Sequence, residues 1–204
     1  MKSSFITFEG IDGSGKSTQI RKLSSWLNEQ SRDCILVREP GGTDVSESIR
    51  DLLLNVKKRV SPYCETLLFM AARAQLAEEI IWPSLKENKF VLCDRFIDST
   101  IAYQGYGRNM DLKLIESLHC FSTQNLIPDI TFLIDIDVET SIKRRKSKVK
   151  DRMETEGFDF LEKVRFGYKE IAKLSKSRYH IISGDQTENN IFEQVKLLVK
   201  NIKE

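Results

Sequence analysis

Short apolar runs punctuate the chain: FITF near Phe5, CILV from Cys34, FVLC from Phe90, ITFLIDI from Ile130 and HIIS from His180. Each has strand length and no polar face. Between them, apolar residues recur at a helical period, as in Ile20, Leu23 and Leu27, in Leu161, Val164, Tyr168 and Ile171, and in Ile191, Val195, Leu198 and Ile202. A further helix is predicted from about Pro62 to Ile81, with Pro83 as its interruption. Strands apolar on both faces that alternate with helices predict a parallel sheet covered on both sides, so the fold class is α/β.

No internal repeat, low-complexity linker or compositional shift marks a boundary, and the expectation is one domain spanning residues 1–204. Two stretches read as loops facing a ligand. One is REPGGTD, Arg38 to Asp44; the other is KRRKSKVKDR, Lys143 to Arg152, in which seven of ten residues are Lys or Arg. Hydrophobic residues make up 40% and charged residues 30%, the balance of a soluble globular chain. No apolar run is long enough to cross a bilayer, and the stretch before Gly10 is too short for a signal peptide, which predicts a cytoplasmic protein. Cys34, Cys64, Cys93 and Cys120 lie far apart, as do His119 and His180, so neither a disulfide framework nor a metal site is expected, and the thiols are read as buried and inert. A net charge of +2 is low for a general nucleic-acid binder; an anion would be held at a local site.

That local site is FEGIDGSGKS, Phe8 to Ser17. Gly10 to Ser17 matches GxxxxGK[ST], preceded by an apolar strand and followed by a helical segment, the context that the phosphate-binding loop requires. A phosphate chain needs backbone N–H groups aimed inward, and the loop can wrap it closely only where side chains are absent and positive φ is cheap. The candidate nucleotide-binding residues are therefore Gly10, Ile11, Asp12, Gly13, Ser14, Gly15, Lys16, Ser17 and Thr18. The dipole of the helix starting near Lys16 favours the anion, Lys16 brings charge to the outer phosphates, and the Ser17 hydroxyl can hold Mg2+.

A GTPase would need NKxD, but the NK at Asn88 continues as NKFV. FVLCD ends in Asp94 with Arg95 next, one group for a metal and one cation for a phosphate, which suits a site holding two phosphorylated molecules. Asp135 and Asp137 in FLIDID compete for the metal role, but their expected duty is to end a strand and start a helix.

The P-loop, REPGGT, LLFMAAR (Leu67 to Arg73), DRFIDSTIAYQGYGR (Asp94 to Arg108), DRME (Asp151 to Glu154) and FLEKVRFGYKEIA (Phe160 to Ala172) occur in the order found in bacterial thymidylate kinases, and the resemblance covers nearly the whole chain. It implies a five-stranded parallel sheet flanked by helices, a short basic lid at about 143–156, a homodimer formed through helices, and transfer of the γ-phosphoryl of ATP to dTMP with Mg2+, giving dTDP and ADP. It implies, too, that Arg38 and Arg95 grip the dTMP phosphate, that Asp12 contacts the sugar 3′-OH, and that Glu39–Pro40 is cis. Phe69 and Arg73, four residues apart on one helix face, would stack on the base and donate to its O4, a contact that favours thymine over the amino group of cytosine. Ser99, Thr100, Tyr103 and Gln104, at helical spacing, would bond the base edge, with Tyr103 crowding the place of a ribose 2′-OH.

No general base stands out, and none is required: the acceptor phosphate, with a second pKa of about 6, is already a dianion. Catalysis then consists of alignment and charge neutralisation by Lys16, Arg95, Mg2+ and the lid cations. In the lid, Ser147 stands where an Arg is common in the family, and Arg145, Lys148 and Arg152 are all candidates. Two other readings stay open. One is a P-loop kinase for another nucleotide or a deoxynucleoside; the other is a non-catalytic nucleotide or nucleic-acid binder using the basic run.

Overall fold

The computed structural model describes residues 3–55, 60–145 and 156–201. Five strands, β1 (Phe5–Glu9), β2 (Cys34–Arg38), β3 (Phe90–Asp94), β4 (Ile130–Asp135) and β5 (Tyr179–Ser183), form one all-parallel sheet in the order β2-β3-β1-β4-β5. These are the five apolar runs, within a residue or two at each end. Only the three inner strands are sealed on both faces; β2 and β5 form the edges and leave Leu36 and Ile181 half exposed.

Around the sheet lie α1 (Lys16–Glu29), α2 (Asp44–Leu54), α3 (Pro62–Leu76), α4 (Trp82–Lys86), α5 (Ile97–Thr100), α6 (Leu112–Thr123), α7 (Val138–Arg145), α8 (Phe158–Leu174) and α9 (Glu188–Lys200). Strand alternation decides which residues face which layer. Ile6 and Phe8 of β1 pack with Ile20, Leu23 and Leu27 of α1 and Val195 and Val199 of α9. Phe5 faces the other way, toward Met70 and Leu76 of α3 and Ile115 of α6, and α8 covers the neighbouring part of that face with Leu161, Val164 and Tyr168. Side-chain caps start several helices: Thr43 accepts from the Ser46 amide, Ser61 from Cys64 with Pro62 in the first turn, and Thr187 from Asn190.

Four expectations are corrected. Pro83 does not interrupt the third helix. A π turn at Ala77–Ile81 follows α3, the Trp82 amide bonds back to the Ala77 carbonyl, and Pro83 falls in the opening turn of α4, where its missing N–H costs little. A second π segment, Ile101–Gly107, continues α5, so Ser99 to Gln104 do not follow plain α spacing. The predicted loops give up residues to helices, since Asp44 opens α2 and Lys143 to Arg145 close α7, and residues 146–152 lie outside the described ones. Of the four free thiols only Cys93 is buried; Cys64 is exposed near the start of α3, because that turn faces inward with Glu65 and Thr66. Among the described residues no helix is long and apolar enough to cross a membrane.

Candidate active site

β1 and β3 are adjacent, with Phe8 beside Asp94, so the turns at their C-terminal ends open into the same cavity of about 740 Å3. The first of those turns is the glycine loop. Gly10, Gly13 and Gly15 all have positive φ, and a Cβ on Gly10 would lie 2.5 Å from the Ile134 carbonyl oxygen. Gly15 is the N-cap of α1 and brings no side chain to it, which leaves the opening amides of the helix facing the cavity. Asp12, Gly13, Gly15, Lys16, Ser17 and Thr18 line that cavity. Gly10, Ile11 and Ser14 do not: Ile11 packs into the core beneath α8, and Ser14 is buried.

Lys16 folds over the loop, its Nζ donating to the Gly10 carbonyl at 2.9 Å and the Ile11 carbonyl at 3.2 Å. Burial, and then repulsion from Arg95, hold its pKa below the ordinary lysine value, against the pull of Asp12, Asp94 and Glu9. Ser17 Oγ donates to Asp94 Oδ2 at 2.7 Å, so the two candidate metal-holding groups lie side by side.

Arg95, the residue after β3, has a φ of 72°, a left-handed backbone for a non-glycine residue. Its Nη2 donates to Asp12 Oδ1 at 2.6 Å and to the Tyr103 hydroxyl at 3.3 Å, while Nη1 donates to Ser99 Oγ and the Tyr168 hydroxyl, both at 3.0 Å. The guanidinium also lies over the Tyr103 ring. Burial pushes the Asp12 carboxyl upward, but Arg95 and Lys16 outweigh it and bring the pKa to about 2.

The opposite wall is built by α3 and the turn after β2. Phe69 and Arg73 both line the cavity, one turn apart. Arg73 is buried, its Nε donating to Glu39 Oε2 at 2.7 Å and its Nη2 to Thr100 Oγ1 at 2.9 Å and the Phe96 carbonyl at 3.2 Å. Glu39 is held above the usual carboxyl range by burial, which Arg73 opposes. Its peptide bond to Pro40 is cis, as expected. Arg38 is half exposed and donates to both carboxylate oxygens of Glu47 at 2.9 Å.

Ser99, Thr100, Tyr103 and Gln104 also line the cavity, but each already holds a protein partner. Ser99 bonds Glu9, Thr100 accepts from Arg73, Tyr103 accepts from Arg95, and Gln104 donates to Glu65 at 2.8 Å. At the end of α7 Arg145 lines the cavity and donates from Nε to the Ser141 carbonyl. Lys148 and Arg152 lie outside the described residues. Asp135 ends β4 and pairs with Arg165 and Lys169, and Asp137 accepts from the Thr140 amide at the start of α7, the structural duties expected of them.

Sequence reasoning missed Glu9, Glu39, Tyr168 and Arg144. Arg144 lines the cavity and donates to the Gly13 and Gly184 carbonyls. Glu9 and Glu39 stand inside the quoted motifs, FEG and REP; charged residues placed where a strand enters a buried turn were the available signal.

Comparison with known proteins agrees with this geometry. The thymidylate kinase family profile matches residues 8–195. The thymidylate kinase of Thermosipho melanesiensis is 51% identical over 195 residues, covering 96% of both chains, and that of Kosmotoga olearia 46% over 192 residues, covering 94% of this chain and 92% of its own. The crystal structure of thymidylate kinase from Ehrlichia chaffeensis superposes with a TM-score of 0.82 at 39% identity, covering 98% of this chain and 100% of that one. A glycine loop and an Asp–Arg turn opening on one cavity, with near full-length matches at this identity, place the chain in the thymidylate kinase family.

Proposed function

We propose that this protein transfers the γ-phosphoryl of ATP to dTMP, giving dTDP and ADP, in the cytoplasm and as a homodimer. The observation that carries the reading is one cavity with a phosphate cradle at one end, Arg95 beside it, and the Phe69–Arg73 wall and Arg38 at the other. Two phosphorylated ligands would give the cations along both walls of the cavity an anion to hold.

In this reading the amides of Gly13, Gly15, Lys16 and Ser17 and the Lys16 ammonium hold the donor phosphates. Ser17 and Asp94, hard oxygen donors whose Oγ and Oδ2 lie 2.7 Å apart, are the residues that would hold Mg2+, which when bound offsets charge on the phosphates. Arg38 and Arg95 take the acceptor phosphate; their planar forks match its oxygens better than an ammonium does. Arg38 must exchange Glu47 for substrate, which its exposure makes cheap, whereas Arg95 is already held by four side chains. Phe69 stacks on the base, Arg73 serves its O4, and Ser99, Thr100, Tyr103 and Gln104 complete the wall around it. Asp12 meets the sugar 3′-OH. Arg145 contributes from the lid side, with Lys148 and Arg152 proposed beside it.

The homodimer is supported by an apolar surface on the packed pair α3 and α6. Leu67 is 56% exposed, Phe121 89% and Leu114 45%, apolar side chains that a second copy would cover.

A side-by-side assay of ADP release with dTMP, dUMP, dCMP, dGMP and thymidine tests the reading. The expected outcome is clear preference for dTMP, with turnover lost on removal of magnesium. Preference for another acceptor would reassign the chain to a different P-loop kinase, and salt-sensitive DNA or RNA binding without turnover would favour the non-catalytic reading.

A further inference from the structure

Glu65, Phe69 and Arg73 follow one another at single-turn spacing on α3 and so share one face of that helix. Phe69 and Arg73 line the cavity; Glu65 is buried and does not. Facing this row are Thr100, which closes α5, Gln104 in the π segment and Arg108 just after it. The two rows pair in opposite directions. Arg73 Nη2 donates to Thr100 Oγ1 at 2.9 Å, and Gln104 Nε2 donates to Glu65 Oε1 at 2.8 Å. On α3, Phe69 lies midway between the two contacts.

A carboxamide has a donor end and an acceptor end, and its partner decides which way round it sits. Glu65 acts as an acceptor, since Arg108 also donates to it, from Nε to Oε1 at 3.4 Å and from Nη2 to Oε2 at 3.3 Å. The NH2 of Gln104 therefore faces Glu65. Both side chains are almost wholly out of water, so turning the amide round would set two oxygens against each other in the interior. Gln104 Oε1 is left without a partner among the described residues, on a side chain that lines the cavity. Thr100 Oγ1, by contrast, already accepts from Arg73.

The wall thus offers a pyrimidine stacked on Phe69 one donor, Arg73, and one acceptor, Gln104 Oε1. Thymine answers both, with O4 as acceptor and N3–H as donor, whereas cytosine brings an amino group and an unprotonated N3. We propose that Glu65 is a specificity-determining positioning residue, which fixes the Gln104 carboxamide with its oxygen toward N3–H of the base. Arg108 holds the carboxylate in turn, lying over the Phe160 ring and pairing with Glu156 as well. This deepens the dTMP reading and rests on it.

Glu65→Gln keeps the shape of the side chain and lets either end of the Gln104 amide face it. The experiment measures the KM for dTMP and the inhibition constant of dCMP as its competitor, in wild type and variant. The ratio of the dCMP constant to the dTMP KM is expected to fall about tenfold in the variant, with kcat and the KM for ATP changed much less. Merely structural loosening weakens both nucleotides alike, so an unchanged ratio overturns the proposal. In a Gln104→Met background the same substitution is expected to leave the ratio where Gln104→Met alone puts it. A further tenfold fall there would overturn the proposal too, because Glu65 would then act by another route. Should Glu65→Gln fail to fold, Glu65→Asp takes its place. It keeps a charge for Arg108, draws the carboxylate back from Gln104 and is expected to lower the ratio severalfold; an unchanged ratio again overturns the proposal. A wild type inactive on dTMP would instead remove the functional reading beneath it.

Discussion

Arg73 and Arg38 each pair with a glutamate, and burial separates what the two pairs do. Arg73 and Glu39 are almost wholly out of water, so truncating the arginine strands a carboxylate in the interior. Arg73→Ala is expected to cost about 3–5 kcal/mol of stability. Arg38→Ala, from a half-exposed pair, is expected to cost less than about 1 kcal/mol. If Arg38 serves the substrate phosphate, the second variant keeps its unfolding midpoint and loses dTMP affinity. Urea titration and a dTMP binding isotherm on both proteins check this, and a destabilised Arg38→Ala with normal binding would contradict it. The same contrast sets what a sequence can disclose about single residues. Lys16 and Ser17 were legible because phosphate chemistry imposes their spacing within eight positions. Glu9 and Tyr168 were not, since their bond joins residues 159 positions apart and exists only after the sheet has formed.

At the scale of elements, the five strands were legible as short unbroken apolar runs, and the helices α1, α8 and α9 because burial on one side imposes a period on their side chains. The π segments were not, because a reading built on 3.6 residues per turn has no place for an inserted residue. Yet the second of them shapes the site. Ile101–Gly107 packs along α8, with Tyr106 seated on Gly167 and Tyr103 carried beneath Arg95. A Cβ on Gly167 would lie 2.7 Å from the Tyr106 ring. Alanine ordinarily stabilises a helix interior by roughly 0.5–1 kcal/mol over glycine, whereas overpacking here costs about 1–3 kcal/mol. Gly167→Ala is therefore expected to destabilise the fold, and adding Tyr106→Ala should reverse the sign of the glycine substitution. A double-mutant cycle by urea unfolding reads the coupling; additive effects would show that the two elements are not locked at this point.

At the scale of the molecule, the parallel sheet gathers the chemistry at one rim by placing the C-terminal ends of β1 and β3 side by side, and it buries ionisable groups behind that rim. Two of them pull stability in opposite directions. His119 on α6 donates through Nε2 to the Leu126 carbonyl, and burial followed by repulsion from Arg73 keeps its pKa at about 3, against 6.5 when unfolded. Below about pH 6.5 the unfolded chain binds a proton there that the folded chain refuses, so stability falls as pH falls, by up to about 1.4 kcal/mol per unit. Glu9 has the reverse sign. Its pKa rises from 4.5 to about 7 on folding, so between those values the folded chain holds the extra proton and stability falls as pH rises. From about pH 4.5 to 6.5 the two slopes oppose each other. Removing either group should uncover the other: Glu9→Gln gains stability with rising pH across this window, and His119→Gln loses it. Urea midpoints of the three proteins at about pH 5 and about pH 6.5 decide the matter. Three parallel profiles would mean that neither group changes its protonation on folding.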